Sequence, residues 1–205
     1  IPLRRGQARI QVEASMKYLF FGAVSTGIML YGMGYIYGMA HSTFLSDIIP
    51  VFPRFLSQPI GIMALIFTLA GFFFKLSLFP FHFWAPDIYE GASNTTTTFI
   101  ATIPKIAATA LLIRITMLAS PGSEQFVNVM IVLAAFSMTI GNIVGLVQKD
   151  IKRLLGYSGI AHAGYLMLGI LALSREGNAS AMYYITIYLF MNLACFYVLI
   201  LLSGT

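Results

Sequence analysis

Six long apolar runs dominate this sequence, and each is about the length that a helix needs to cross a lipid bilayer. A membrane-spanning helix requires about 20 mostly apolar residues. Short segments that are polar, or that carry proline and glycine, separate the runs. The runs are Tyr18–Ala40, Phe55–Pro86, Gly91–Ser123, Val127–Gln148, Leu154–Ser174 and Ala179–Ser203. The pattern predicts an all-α polytopic membrane protein with about six transmembrane helices, forming a single transmembrane domain over residues 1–205.

The composition agrees with a membrane chain and argues against several other classes of protein. Apolar residues make up 59% of the sequence and charged residues 9%, whereas a soluble domain carries about 25% charged residues. The net charge of +5 is no signal for nucleic acid, because the basic residues lie in short loops. The single Cys195 lies in an apolar run and indicates neither a disulfide nor a metal cluster. No hydrolytic triad, phosphate loop or nucleotide fingerprint is present, so we expect no cofactor in this chain.

The basic residues also predict an orientation, because lysine and arginine concentrate in the cytoplasmic loops of membrane proteins. Seven of them lie before the first run or after the fourth, and three lie on the opposite side. The seven are Arg4, Arg5, Arg9, Lys17, Lys149, Lys152 and Arg153, and the three are Arg54, Arg114 and Arg175. We therefore expect both termini on the cytoplasmic side of a bacterial membrane or the matrix side of the mitochondrial inner membrane.

Lys75 lies deep inside the second apolar run, and no other charge lies between Phe55 and Pro86. In a continuous helix, Arg54 would be about 31 Å away and Asp87 about 18 Å. A lysine at the centre of a bilayer costs about 2.5–3.5 kcal/mol, and such residues face protein or trapped water. Lys75 is therefore either a carrier of protons or ions, or one member of a static ion pair that fixes helix packing.

Proline accompanies both of the deep lysines. Pro80 removes a backbone donor and predicts a break or a kink in the second run between Lys75 and Trp84. Pro104 directly precedes Lys105 and predicts a second disruption. Broken helices in membranes are tolerated where protein covers them or where they line a cavity, and transporters place ion sites there. The two lysines are therefore predicted to lie on a path for ions or protons.

Three other titratable residues are candidates for the same path. His162 lies in an apolar run and titrates near neutral pH, so it either passes protons between lysines or is a neutral partner of a neighbouring helix. His82 lies in the predicted break and either packs there or lines the path. Glu13 forms a favourable helix pair with Lys17 or accepts protons at the membrane interface.

The remaining polar signals are weaker. Asp87 and Glu90 predict an acidic loop after the broken helix. The hydroxyls of Thr95–Thr98 are suited to bond helix carbonyls or channel water. The many tyrosines and phenylalanines are typical of membrane interfaces and lipid-facing surfaces.

Four segments of the sequence carry a family resemblance. They are VEASMKYLFFGAVSTGIMLYGM, FKLSLFPFHFWAPDIYEG, TFIATIPKIAATALLIRI and QKDIKRLLGYSGIAHAGYLMLGILAL. The chain resembles the antiporter-like subunit N of respiratory complex I, also called NADH dehydrogenase subunit 2. Subunits M and L and the multisubunit sodium/proton antiporters share a related Lys–Pro–His–Trp–Pro–Asp pattern, but the form from Pro80 to Gly91 is similar to subunit N. The resemblance implies the antiporter-like fold, with these spans as its helices six to eleven and the broken helix near Lys75–Trp84.

The resemblance also implies a function and roles for single residues. Lys75 matches the lysine of the first broken helix, Lys105 the lysine that passes the proton toward the membrane centre, and His162 a motif leading to a second half-channel. A carboxylate on helix five would hold Lys75 charged, and separation of that pair would send the proton toward Lys105. That carboxylate and an exit lysine on helix twelve lie on family helices outside this sequence. We therefore expect flanking helices from another segment or polypeptide.

The implied function is that of a proton-translocating membrane-arm subunit of an NADH:quinone oxidoreductase. FMN, iron–sulfur clusters and quinone would then belong to other subunits of the complex. Subunit M, the small membrane subunits and the lipid bilayer would be the partners, and nucleic acid would not. Three alternatives stay open: a subunit of a multisubunit sodium/proton antiporter, a structural membrane scaffold that does not pump, and a quinone-binding role, against which the family's assignment of the quinone site to other subunits argues.

Overall fold

The computed structural model describes residues 8–118 and 124–203. In these residues the chain forms nine helices and no strand. The helices are α1 Ala8–Ala40, α2 Leu45–Ile48, α3 Phe52–Leu56, α4 Pro59–Leu76, α5 Trp84–Gly91, α6 Asn94–Leu118, α7 Glu124–Leu146, α8 Ile151–Leu171 and α9 Arg175–Ser203. Two predicted features, the basic residues Arg4 and Arg5 and the connection Ser120–Ser123, lie outside the described residues.

Six of these helices are long and apolar enough to cross a membrane, so the predicted all-α fold with about six spans is confirmed. They are Gln11–Ala40, Pro59–Leu76, Asn94–Thr116, Glu124–Leu146, Ile151–Leu171 and Arg175–Ser203. The two short helices α2 and α3 lie between the first and second spans and were not predicted. Both are too short to give a strong apolar period in the sequence.

The second predicted span is broken at the place that Pro80 indicated. α4 ends at Leu76 and α5 begins at Trp84, with an irregular segment, 77–83, between them. Ser77 ends α4 in the left-handed conformation, with φ of 61°. The indole N–H of Trp84 donates a hydrogen bond to the carbonyl of Phe74 at 3.0 Å. This bond ties the start of α5 back to α4, so the break has a fixed geometry.

α6 is not broken at Pro104, because it continues through this proline from Asn94 to Leu118, and a kink there stays a prediction. Neighbouring helices and hydroxyl side chains satisfy the backbone groups that a proline frees in a membrane helix. α6 packs between α4 and α9 here, and Ala101 before the proline is fully buried. The hydroxyls of Thr97 and Thr98 donate to carbonyls four residues earlier, as predicted for the threonine run.

Close helix contacts bring the elements around Lys105 together. α8 packs against α7, α5 and α9, and α4 packs against α1 and α6. Glycine permits the tightest of these contacts, because a Cβ at Gly164 would lie 2.8 Å from the carbonyl oxygen of Ala134, and one at Gly156 would lie 2.9 Å from Cα of Pro86. α8 is therefore held against α7 on one side and against α5 on the other.

Candidate functional site

Lys105 is enclosed by α6, α8 and α9, and only 2% of the residue is exposed. Its ammonium donates to the carbonyl of Gly159 at 3.2 Å and to the hydroxyl of Tyr188 at 3.1 Å. Nζ lies 5.1 Å from the centre of the Tyr188 ring, a cation–π distance. In the part of the chain that the structure describes, no carboxylate forms an ion pair with Lys105. The charge is therefore held by dipoles and an aromatic face.

The period of α6 explains why this lysine points inward. Lys105 belongs to a row of buried residues spaced three or four positions apart, which lie on one face of α6. That face consists of Ala101, Lys105, Ala108, Leu112 and Thr116. Opposite the lysine lies Gly159, where a Cβ would lie 2.9 Å from both Nζ of Lys105 and Oη of Tyr188. The absence of a side chain at Gly159 therefore makes the room that the ammonium occupies.

His162 lies one turn after Gly159 on α8 and shares a small cavity with Lys105. Its Nδ1 is 2.5 Å from the hydroxyl of Tyr184, and its ring centre is 5.2 Å from that of Tyr188. The cavity has a volume of about 10 Å³, close to the minimum that holds one water molecule. Its lining consists of Leu76, Lys105, Gly159, His162, Ala163, Leu166, Tyr184, Ile185 and Tyr188. The structure thus brings two of the predicted site residues to one enclosed space.

The hydrogen bond of His162 matches one of its two predicted roles directly. Tyr184 belongs to α9, so His162 is hydrogen-bonded to a neighbouring helix, as the structural alternative required. The ring also lines the cavity beside Lys105, as a proton carrier must. The two roles are compatible, and the proton-carrying one remains a prediction.

Lys75 is not enclosed within the described chain, and the expectation that it faces protein or trapped water stays a prediction. It lies in the last turn of α4, with an exposed side chain. Nζ donates to the hydroxyl of Tyr18 on α1 at 3.3 Å and lies 5.4 Å from the centre of the Phe74 ring. α1 covers one side, and no described element covers the other. The partial negative charge at a helix C-terminus favours a cation at this position.

His82 lies inside the break and is 4% exposed. Its ring centre is 5.6 Å from that of Phe79 and 4.2 Å from that of Phe83. Nδ1 has no hydrogen-bond partner in the described part of the chain. The residue lines a cavity of about 480 Å³ that also contacts Asp87 and Arg153. Both predicted roles, packing in the break and lining a path, therefore agree with its position.

A cluster of ion pairs joins α1, α5 and α8 at the end of the molecule where α1 begins. Lys17 lies 2.7 Å from both Glu13 and Asp87, and Arg153 lies 2.8 Å from both Asp87 and Glu90. The predicted pair of Glu13 with Lys17 is confirmed. The acidic loop predicted for Asp87 and Glu90 is wrong, because both residues lie on α5, which forms again directly after the break.

Sequence reasoning missed the tyrosines of the site, which were attributed to membrane interfaces. Tyr89 is 0% exposed and Tyr188 is 4% exposed. The signal for Tyr188 was its spacing, because it follows Tyr184 by one helical turn and both share a face with Ala181 and Ile185. Nothing local marked Tyr89, because its surroundings come from α8 and α9. Within the described residues, no cluster of three histidine, cysteine or acidic side chains could hold a metal ion.

The same arrangement of helices is found in a known family of membrane proteins. The family model described as NADH:quinone oxidoreductase/Mrp antiporter, TM, matches residues 3–204. The chain belongs to this family. Among curated members of the NADH:quinone oxidoreductase/Mrp antiporter family, NADH-quinone oxidoreductase subunit N 2 of Opitutus terrae is 51% identical over 95% of this chain and 40% of its own length. The chain therefore spans about two-fifths of the length of this relative.

Solved structures of the NADH:quinone oxidoreductase/Mrp antiporter family share the fold. A chain of respiratory complex I from Thermus thermophilus, in a structure with bound aureothin, is 36% identical, with a TM-score of 0.77 over 95% of this chain and 42% of that chain. A chain of the Mrp complex from Dietzia sp. DQ12-45-1b is 20% identical, with a TM-score of 0.80 over 92% of this chain and 35% of that chain. The second likeness concerns the fold alone.

Proposed function

We propose that this chain is the central part of a proton-translocating subunit in the membrane arm of an NADH:quinone oxidoreductase. The observation that carries the proposal is the Lys105 site, where a buried ammonium that no described carboxylate pairs with shares a water-sized cavity with His162. A static structural lysine is more commonly paired, because an unpaired buried charge is costly. The 51% identity to a subunit N supports the assignment to this enzyme.

The proposed path begins at Lys75 and continues through Lys105 to His162. Lys75 and Leu76 occupy the last turn of α4, and Leu76 lines the cavity beside Lys105. The two lysines therefore lie on different sides of the end of this helix. A carboxylate from another helix covers Lys75 and holds it charged. When the pair separates, the proton of Lys75 moves to Lys105 and then, through a water in the cavity, to His162.

His82 and Glu13 are accessory residues in this proposal. Glu13 belongs to the ion-pair cluster at the surface, and His82 lines the cavity that reaches from this cluster toward the break. The cavity provides a route for water from the charged surface to the broken helix. His82 then exchanges protons with this water.

The setting of the subunit is part of the proposal. The chain is an integral membrane protein with both termini on the cytoplasmic or matrix side. Other membrane-arm subunits, including one related to subunit M and the small membrane subunits, surround it, and further helices cover Lys75. FMN, iron–sulfur clusters and quinone belong to other subunits, and quinone reduction there drives the proton transfer.

A sodium/proton antiporter subunit is the alternative that the family description itself names. The two functions differ in their dependence on cations. Proton translocation driven by NADH that is independent of sodium supports the proposed function. Transport in membrane vesicles that requires sodium and does not require NADH would support the antiporter instead.

Replacement of Lys75 by alanine separates a pumping subunit from a structural scaffold. Because Lys75 opens the proposed path, NADH-driven proton uptake by inverted membrane vesicles is expected to fall about tenfold or more. The matched control is Arg54→Ala, an exposed basic residue at the other end of the second span, which is expected to pump normally. Normal proton uptake and normal quinone reduction in the Lys75→Ala complex would contradict the proposal.

A further inference from the structure

Tyr89 is a buried tyrosine whose hydroxyl is not accounted for by the packing of its ring. The residue is 0% exposed, and Oη makes no hydrogen bond of ordinary length in the described part of the chain, although it interacts electrostatically with the hydroxyl of Tyr188. Its ring packs against Phe196 of α9 at 6.1 Å between centres. A phenylalanine would make the same ring contact without burying an unpaired polar group, which costs free energy. The hydroxyl therefore requires an explanation.

The position of this hydroxyl provides one, because it points to the Lys105 site. Nζ of Lys105 and Oη of Tyr188 each lie 2.9 Å from the point where a Cβ of Gly159 would be, and Oη of Tyr89 lies 3.8 Å from the same point. The three polar atoms therefore converge over Cα of Gly159. Lys105 reaches there from α6, Tyr188 from α9 and Tyr89 from α5, so three separate elements contribute one polar atom each.

We propose that Tyr89 and Tyr188 form a hydroxyl pair that positions Lys105 in both of its protonation states. The proposal rests on the proposed function, in which Lys105 alternately gains and loses a proton. A charged lysine donates three hydrogen bonds and accepts none, whereas a neutral lysine also offers a lone pair. The carbonyl of Gly159 accepts an N–H in both states, because a neutral amine keeps two N–H groups, but it cannot donate to the lone pair of the neutral state. A phenol hydroxyl can both donate and accept, so it serves either state.

The pair changes its hydrogen bonds as the lysine changes its charge. With Lys105 charged, its N–H donates to Oη of Tyr188, as the structure shows. When Lys105 has lost another of its N–H protons to water in the cavity, the neutral amine rotates so that its lone pair faces Tyr188, and the O–H of Tyr188 donates to this lone pair. The oxygen of Tyr188 is then free to accept the O–H of Tyr89. No covalent bond of either tyrosine is broken, and both act as positioning residues.

The second tyrosine also connects the site to the ion-pair cluster. Tyr89 lies on α5 between Asp87 and Glu90, which both bind Arg153 of α8. These ion pairs fix where α5 lies against α8, and α8 carries Gly159. The distance from the Tyr89 hydroxyl to Lys105 is therefore set by the same short helix that carries the surface carboxylates.

The test uses Tyr89→Phe and Tyr188→Phe, each in the assembled complex in inverted membrane vesicles. Each change removes one oxygen atom and retains the ring. We expect NADH-driven proton uptake to fall about tenfold for Tyr188→Phe and about threefold for Tyr89→Phe. Both are expected to raise the solvent deuterium isotope effect on turnover, because proton transfer at Lys105 becomes slower. Tyr183→Phe is the control, since this tyrosine of α9 is 71% exposed, and it is expected to change neither quantity.

The outcomes distinguish this inference from the function on which it rests. A purely structural Tyr89 has no bond to lose, so its replacement by phenylalanine would leave pumping and the isotope effect unchanged and overturn the inference. Tyr89→Phe also decides the matter if Tyr188→Phe does not assemble. Loss of pumping in Lys105→Met with normal pumping in both tyrosine variants overturns the hydroxyl pair alone. Normal pumping in Lys105→Met overturns the proposed function itself.

Discussion

Gly159 decides, at the scale of a single residue, how Lys105 is held. Its carbonyl accepts a hydrogen bond from the ammonium, and its missing side chain leaves the space in which the ammonium and the Tyr188 hydroxyl meet. A glycine inside a helix costs up to about 1 kcal/mol relative to alanine. That cost is offset here because a Cβ at this position would displace the ammonium of Lys105 and the hydroxyl of Tyr188.

The substitution Gly159→Ala tests this role. The new Cβ would lie 2.9 Å from Nζ of Lys105 and from Oη of Tyr188, closer than van der Waals contact. We expect the protein to be destabilised by about 1–3 kcal/mol, measured by thermal unfolding in detergent. Gly27→Ala is the matched control, because a Cβ there meets nothing within 4 Å, and it is expected to be neutral or slightly stabilising. Equal stability of the two variants would show that Gly159 is not needed for packing.

The short helix α5 is the element that links the charged surface to the buried site. Because the chain breaks after α4, α5 is a separate short helix. One face of α5 packs on the core and the other forms ion pairs. Trp84, Ile88 and Tyr89 are buried against the core, whereas Asp87 and Glu90 reach Arg153 and Lys17. α5 is therefore held from inside by apolar packing and from outside by ion pairs.

Arg153→Gln tests the outer attachment of α5. The change removes two partly buried ion pairs at once while Asp87 keeps Lys17. We expect the free energy of unfolding to fall by about 1–2 kcal/mol, because ion pairs that are partly buried and hydrogen-bonded stabilise a protein more than exposed pairs do. Added salt is expected to reduce the difference from the unchanged protein. The control is Arg175→Gln, an exposed arginine of α9, and an identical unfolding midpoint for both variants would contradict this role.

For the whole molecule, the sequence predicted the spans because scarcity of charge over about 20 residues leaves few alternatives. The break near Pro80 was also predictable, because proline lacks the backbone N–H that a helix interior needs and its ring clashes with the preceding turn. At Pro104 the helix does not break, because α6 packs between α4 and α9 there.

The site was only partly predictable. Depth along the chain identified Lys105 and His162, and the structure places both at one cavity. The position of a residue within an apolar run does not show which way its side chain points. The sequence therefore could not show that Lys105 faces the core while Lys75 faces outward. The partners of Lys105 also come from residues 54 and 83 positions away in the sequence. No local pattern could have predicted these contacts.

The orientation of the whole chain can be tested by cysteine labelling. In a background with Cys195→Ser, Thr43→Cys and Lys149→Cys place single thiols in loops at opposite ends of the bundle. Because basic loops stay in the cytoplasm, a membrane-impermeant maleimide is expected to label Lys149→Cys in inverted vesicles. Thr43→Cys is expected to react only after the vesicles are permeabilised. Labelling with the opposite preference would reverse the proposed orientation.

The measurement that tests the central claim most directly is proton uptake by vesicles whose complex carries Lys105→Met. Methionine keeps the length of the side chain and removes its proton, and replacing a buried charge by an apolar residue is often neutral or stabilising. The complex is therefore expected to assemble and to be as stable as before, while NADH-driven proton uptake falls about a hundredfold. Lys149→Ala, an exposed lysine between α7 and α8, is expected to pump normally. Normal proton uptake at a normal rate of NADH oxidation in the Lys105→Met complex would contradict the account.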